Sequence, residues 1–364
     1  MKTWREVFGA AALAASVAML PDGGAHAAPT FRIVDIGDLA GFGSTALGIN
    51  ESGWVTGNAS VSVNTTNAFL SVNQVMTDLG TPSPFVRSQG ADINDFGTVV
   101  GTALSITGDF ARAVVFSGGS TTILGTLGGV SSYGYAINNA GQVTGSAQTV
   151  GNANRHAFRF TDGVMIDLGS LHGHTSEGVD INDAGQVVGV YFVGGGNSFG
   201  GFLYDGSSTL DLSSLGMAMA LGINNAGQVA GLGTDLHAAL YEHGVVRSLG
   251  SLGGSLSNAN DITDLGWIIG ASMLPGDKEI HAFLVTDGQM MDLNALLEPV
   301  SGDGWVLTSA SAANEAGQIV GQGTYRNQVR SFLLTPIPEP ASPMLLAAAL
   351  LAATCASRRW RRRA

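Results

Sequence analysis

The sequence predicts an all-β protein, a seven-bladed β-propeller made of seven four-stranded repeats. Three observations lead there. A nine-residue element, INDAGQVVG at Ile181–Gly189, occurs in near-copy seven times. Two further strand-like segments recur with it, and successive copies lie 39 to 51 residues apart. The composition, 53 glycines and 45% apolar residues with only 12% charged, suits many short strands joined by tight turns. A β-solenoid is the alternative, but its strands pair in parallel and call for no repeated tight hairpin.

The turn comes first. Its copies start at Asn50, Asn94, Asn138, Asn182, Asn224, Thr263 and Asn314. Three positions later stands glycine: Gly53, Gly97, Gly141, Gly185, Gly227, Gly266 and Gly317. A type I turn favours Asn at its first position and Gly at its fourth. The Asn side chain bonds to nearby amides, and the Gly takes the left-handed conformation of a bulged hairpin. Thr263 departs from the pattern but offers the same acceptor. A second glycine, from Gly57 to Gly321, follows four residues after the first. It predicts a close backbone approach or a bend at the strand end.

The strand after the turn is apolar on successive residues, Val187-Val188 or Ile268-Ile269, as expected where both faces are buried. A third strand follows, NAFLSV at Asn67, echoed as HAFRF and HAFLV. A fourth reads TDLG, IDLG or MDLN, joined to the third by turns such as Thr161-Asp162-Gly163. The chain opens with an outer strand, Ile33 to Ile36, that lacks its blade, and closes on Phe332–Leu334, which lacks an outer strand. Pairing the two completes the seventh blade and removes an open edge.

These repeats resemble the HAF family of extracellular repeats, named for the motif seen at His156-Ala157-Phe158 and His281-Ala282-Phe283. The resemblance spans roughly residues 31–335. It implies an exported, surface-associated protein and no known reaction.

The two ends carry an address. Residues 1–27 read as a signal peptide: Lys2 and Arg5, an apolar run from Phe8 to Leu20, then Ala25-His26-Ala27 ahead of a mature start at Ala28. Residues 336–364 form a tail with Pro338-Glu339-Pro340, an apolar run from Met344 to Ala356, and five arginines from Arg358 to Arg363. The run is shorter than the ~20 residues of a stable membrane span, and the arginines hold to the cytoplasmic side. In that order the three parts resemble the PEP-CTERM sorting signal of Gram-negative bacteria, over about the last 27 residues. The resemblance implies processing by an exosortase after signal peptidase, a transient inner-membrane anchor, and a biofilm-forming host.

Between Ala28 and Ile337 stand nine basic and 25 acidic residues, a net charge of −16. Such a surface repels nucleic acid and helps keep an exported protein soluble. The one cysteine, Cys355, lies in the tail, so the mature domain has no disulfide and no thiolate ligand.

No nucleophile or phosphate-binding motif is present. The turns DINDFG and DINDAG lack the ligand spacing of a calcium loop and are explained by hairpin chemistry. The HAF histidines read as polar residues at strand starts. His172, His174 and Glu177 form the one cluster with divalent-metal character, placed in a loop between blades. No cofactor is expected beyond such a cation. Asp303 and Trp305, in the longest step, are the first loop residues to suspect of contacting sugar. The expected function is a non-enzymatic surface or biofilm-matrix module that binds exopolysaccharide or another surface component. A secreted carbohydrate-active hydrolase or lyase on the same scaffold is the alternative, and it requires a symmetry-breaking cluster of carboxylates or metal ligands at one mouth of the ring.

Overall fold

The computed structural model describes residues 28–151, 154–171, 175–194 and 198–338. The expected cleavage residues Ala25 and Ala27, and Glu339 and Pro340 of the sorting motif, lie outside these. The described residues form seven antiparallel sheets of four strands, a seven-bladed β-propeller. Blade 1 shows the plan: an inner strand Ser44–Ile49, then Val55–Ser62, Thr65–Val72 and a short outer strand Val75–Asp78.

The strand that opens the chain, Thr30–Asp35, pairs with the last one, Gln328–Ile337, from Thr30↔Ile337 to Asp35↔Phe332. With Trp305–Ala313 and Ile319–Tyr325 it completes blade 7. No sheet is left short, so no long apolar edge is presented. Most of the outer strands are only three or four residues long, as in Ser120–Ile123, whose four residues are all exposed.

Every inner strand ends on the repeated turn. In blade 1, Asn50 Oδ1 accepts from the amides of Ser52 (3.1 Å) and Trp54 (2.9 Å). Gly53 closes the turn at φ 73°. The second strand is buried on both faces because it lies between neighbouring blades: Val187, Val188 and Ile269 are fully buried.

Each inner strand carries a β-bulge three residues before the Asn. Ala46 pairs with Gly57 and Gly48 with Thr56, leaving Leu47 unpaired. The second glycine of the repeat faces this bulge. A Cβ on Gly57 would lie 1.9 Å from the Thr45 carbonyl oxygen, and on Gly189 1.9 Å from that of Glu177. The bulge re-aims the strand so that two successive side chains reach the axis.

Between blades, apolar faces pack on one another. Phe69, Phe158 and Phe283 of the third strands are fully buried. Serines staple the same seam. Ser176 Oγ donates to the Gly169 carbonyl (2.6 Å) and accepts the Ala157 amide (2.9 Å), both in the preceding blade. Ser88, Ser132 and Ser257 repeat this arrangement.

Candidate functional site: the axial channel

Because the inner strands end at the Asn turns, one mouth of the channel is ringed by those turns. The opposite mouth is ringed by the starts of the inner strands. The two are chemically different.

At the turn mouth each Asn side chain reaches across to the next blade. Asn50 Nδ2 donates to the Asn94 carbonyl (3.0 Å), Asn182 Nδ2 to that of Asn224 (3.0 Å), and Asn314 Nδ2 to that of Asn50 (3.0 Å). Six of the seven junctions are made this way. At the seventh, Thr263 has no amide to donate. Its hydroxyl accepts only the Trp267 amide (3.2 Å). There the Glu315 carboxylate takes one extra amide, that of Leu265 (3.1 Å). The Asn is thus both turn-former and inter-blade tie, and only the first role is legible in the sequence.

The residue after each Asn forms a second circle: Glu51, Asp95, Asn139, Asp183, Asn225, Asp264 and Glu315. Each backbone amide donates to the next side chain, as Glu51 N does to Asp95 Oδ1 (2.9 Å) and Asp183 N to Asn225 Oδ1 (2.9 Å). Five of the seven are carboxylic acids. Burial, with the neighbouring charges of Glu315, Asp95 and Asp264, pushes the Glu51 carboxyl up.

Below this circle sit Asp92, Asp180 and Asp261, in blades 2, 4 and 6. Each clamps two blades. Asp92 accepts the amides of Ile93 (2.7 Å) and, in blade 3, Ile137 (2.9 Å). Asp180 accepts those of Ile181 (2.7 Å) and Ile223 (2.8 Å), and Asp261 those of Ile262 (2.7 Å) and Ala313 (2.9 Å). The alternate blades carry Gly48, Ala136, Gly222 and Ala312 at this level. A Cβ on Gly222 would stand 2.9 Å from Asp261 Cα, so large and small residues must alternate. The three carboxylates keep some contact with the lumen, yet protein surrounds them. Burial pushes Asp92 up to about 7; burial and then the charges of Asp261 and Asp92 push Asp180 up to about 8; burial also raises Asp261.

From the opposite mouth the channel opens into a cavity of about 390 Å³ lined by the seven bulge residues, Leu47, Ala91, Tyr135, Val179, Leu221, Asn260 and Ser311, with Asp92, Asp180 and Asp261 at its inner end. This layer breaks the sevenfold repeat. Tyr133 and Tyr135, two apart on one strand, stack at 6.5 Å between ring centres. Arg155 lies over Tyr133 at 5.2 Å and pairs with Glu177 at 2.7 Å. Burial raises the Tyr135 phenol to about 12.

The residues singled out from sequence fall as follows. Glu177 belongs to the inner strand Thr175–Ile181 rather than to a loop, and its carboxylate is held by Arg155. His172 and His174 lie outside the described residues. Among the described residues no three His, Cys, Asp or Glu side chains are grouped to hold a metal ion. Trp305 opens the inner strand of blade 7 and is half-buried against Tyr325 (5.2 Å) and Phe332 (6.4 Å). It packs, and is no loop platform. The HAF histidines bind the outer strand of their own blade: His156 meets Asp167 and His281 meets Asp292. The acids of the DIN turns divide, Asp92 and Asp180 to the lumen, Asp95 and Asp183 to the outer circle. Their role in the channel has one signal in the sequence, an acid before the Ile-Asn or Ile-Thr of alternate repeats only. Among the described residues no helix is long and apolar enough to cross a membrane.

No protein-family model matches the chain, and no curated protein matches it. Among solved structures it is similar to a putative TolB from Agrobacterium tumefaciens, at 12% identity and a TM-score of 0.44, over 85% of this chain and 98% of that one. It is also similar to a gluconolactonase from Xanthomonas campestris, at 12% identity and a TM-score of 0.39, over 85% and 92% of the two chains. A third likeness is to a Trypanosoma rangeli sialidase in complex with the inhibitor DANA, at 10% identity and a TM-score of 0.40, over 92% of this chain and 57% of that chain.

Proposed function

We propose that the protein is an exported surface or biofilm-matrix module that binds polysaccharide at the strand-start mouth of its ring. The observation that carries this reading is the break in symmetry at that mouth. Tyr135, Asn260 and Ser311, a phenol, an amide and a hydroxyl, line a cavity of about 390 Å³, a volume suited to a sugar unit, and Tyr133 stacks on Tyr135. Aromatic faces and neutral hydrogen-bonding groups match the apolar ring faces and hydroxyls of a saccharide. The leader-like start and the tail resembling a sorting signal supply the route to the surface, through signal peptidase and an exosortase.

A hydrolase or lyase is the second reading. It draws on the three lumen carboxyls, since an acid kept protonated near neutral pH is what a general acid requires. Against it, both oxygens of each carboxylate already hold backbone amides, one in its own strand and one in the next blade.

One assay separates the two. The ring, residues 28–337, is sedimented with the producing strain's exopolysaccharide, and released reducing ends are counted. Co-sedimentation without release is expected, and it should weaken on Tyr135→Ala. Released ends that disappear on Asp180→Asn would overturn the binding-module reading.

A further inference from the structure

A second pocket adjoins this mouth. It measures about 320 Å³ and lies between blades 5 and 6, walled by Met219, Leu232, Leu236, Leu256, Met273 and Ile280. It departs sharply from the repeat. Where Met219 stands, blades 1 to 4 carry Thr45, Gln89, Tyr133 and Glu177. Where Leu232 stands, blades 1, 2, 3 and 7 carry Asn58, Thr102, Ser146 and Gln322. Three of its aliphatic side chains remain open to solvent: Leu236 at 49%, Leu256 at 40% and Ile280 at 45%.

The hydroxyls of the pocket are already spent. Ser257 Oγ donates to the Gly250 carbonyl (2.6 Å) and Ser272 Oγ to that of Met273 (3.1 Å). Neither is left to reward a polar guest, so the pocket suits an apolar one. Its walls are aliphatic and thioether, and methionine adapts to irregular chains.

The pocket is a neighbour of the sugar-sized cavity. Leu221 lines both. Asn258 of the apolar pocket donates to Asn260 of the channel cavity at 2.5 Å. The two therefore lie within reach of one ligand that passes over Leu221.

We propose that the ligand is a saccharide bearing an apolar substituent, an acyl ester or alkyl glycoside. Its sugar sits against Tyr135 and Asn260, and its chain enters the pocket between blades 5 and 6. This rests on the saccharide-binding reading above and adds the chemistry of the substituent.

Titration calorimetry on the ring tests it with three probes: methyl β-glucoside, octyl β-glucoside below its micelle concentration, and 1-octanol. Octyl glucoside should bind at least tenfold more tightly than either other probe. Leu232→Gln should erase that advantage while leaving methyl glucoside unchanged. The variant is compatible with the fold, because blade 7 carries Gln322 at the same place. Met219→Thr, which copies Thr45 of blade 1, should act in the same direction. Equal binding of octyl and methyl glucosides would overturn the proposal and leave polysaccharide binding intact. So would 1-octanol binding as tightly as octyl glucoside, since the sugar would then contribute nothing. Binding of none of the three would overturn it as well, and co-sedimentation with the exopolysaccharide would decide the broader reading separately.

Discussion

Nδ1 of His156 lies 3.0 Å from both carboxylate oxygens of Asp167, tying the third strand of blade 3 to its outer strand. Blade 6 repeats the tie with His281 and Asp292 at 2.6 Å, and blade 1 makes it with Asn67 and Asp78. In blade 4, Gly200 vacates the position, and the Tyr191 hydroxyl donates to Asp211 at 3.1 Å. Histidine is thus one of several partners for an outer-strand aspartate at this position.

From this follows the behaviour of two substitutions. His281→Ala should destabilise the protein by about 1 kcal/mol, typical of a partly exposed charged hydrogen bond. His281→Asn should be nearly neutral, as Asn67 already serves blade 1. Urea denaturation distinguishes them. Equal losses for both would mean that imidazole does something beyond holding Asp292.

Asn182 joins two blades as well as forming its turn. It accepts the Gln186 amide (3.0 Å) and donates to the Asn224 carbonyl (3.0 Å). Its Nδ2 also donates to Gln186 Oε1 (2.8 Å), so Asn182→Ala removes three bonds at a buried site and should cost about 2–3 kcal/mol. Asn182→Thr keeps the acceptor, as at Thr263, and should cost about half as much. A shift in the urea midpoint that is the same for both would show that the turn acceptor contributes nothing.

The lumen carboxyls set a pH dependence. Asp92, Asp180 and Asp261 have folded-state pKa values raised above the unfolded value, so the folded state holds more protons between the two. Their contribution is fully present below about pH 4 and is lost as pH rises through about 7 and 8. Stability should therefore fall between pH 5 and about pH 8, by on the order of a few kcal/mol. Asp180→Asn should flatten part of that slope. Parallel pH profiles for wild type and variant would refute the assignment.

The two glycines of each repeat differ in kind. Gly189→Ala places a Cβ 1.9 Å from the Glu177 carbonyl oxygen, where backbone must move. It should cost more than about 3 kcal/mol or prevent folding. Gly266 lies at φ 79° with open space around it, so Gly266→Ala should cost only about 1 kcal/mol. Comparing soluble yield and urea midpoint for the two variants tests the assignment of bulge and turn.

Much of the fold is legible in the sequence because a repeat states each structural demand seven times. The Asn-x-x-Gly turn, the doubly buried second strand and the pairing of residues 33–36 with the last strand can be read directly. The bulge cannot, since it leaves no residue type of its own; only the glycine opposite it hints at crowding. The channel carboxylates escape because their meaning depends on which residues converge at an axis, a long-range fact. In the sequence Asp92 and Asp180 look like ornaments of a turn. The apolar pocket shows there only as a deviation, Met219 and Leu232 where other blades are polar, and a deviation acquires meaning once neighbouring blades are in place.

The seventh blade has a mechanical consequence. Its strand Gln328–Ile337 is flanked on one side by Thr30–Asp35, through six residue pairs, and on the other by Ile319–Tyr325, through seven. The tail leaves directly from its end. A pull on Ile337 directed along this strand would act on a strand gripped on both flanks. Two ladders must then shear together, whereas an edge strand would unzip one rung at a time. The same pairing sets Thr30 beside Ile337, so the load enters and is first resisted within one blade.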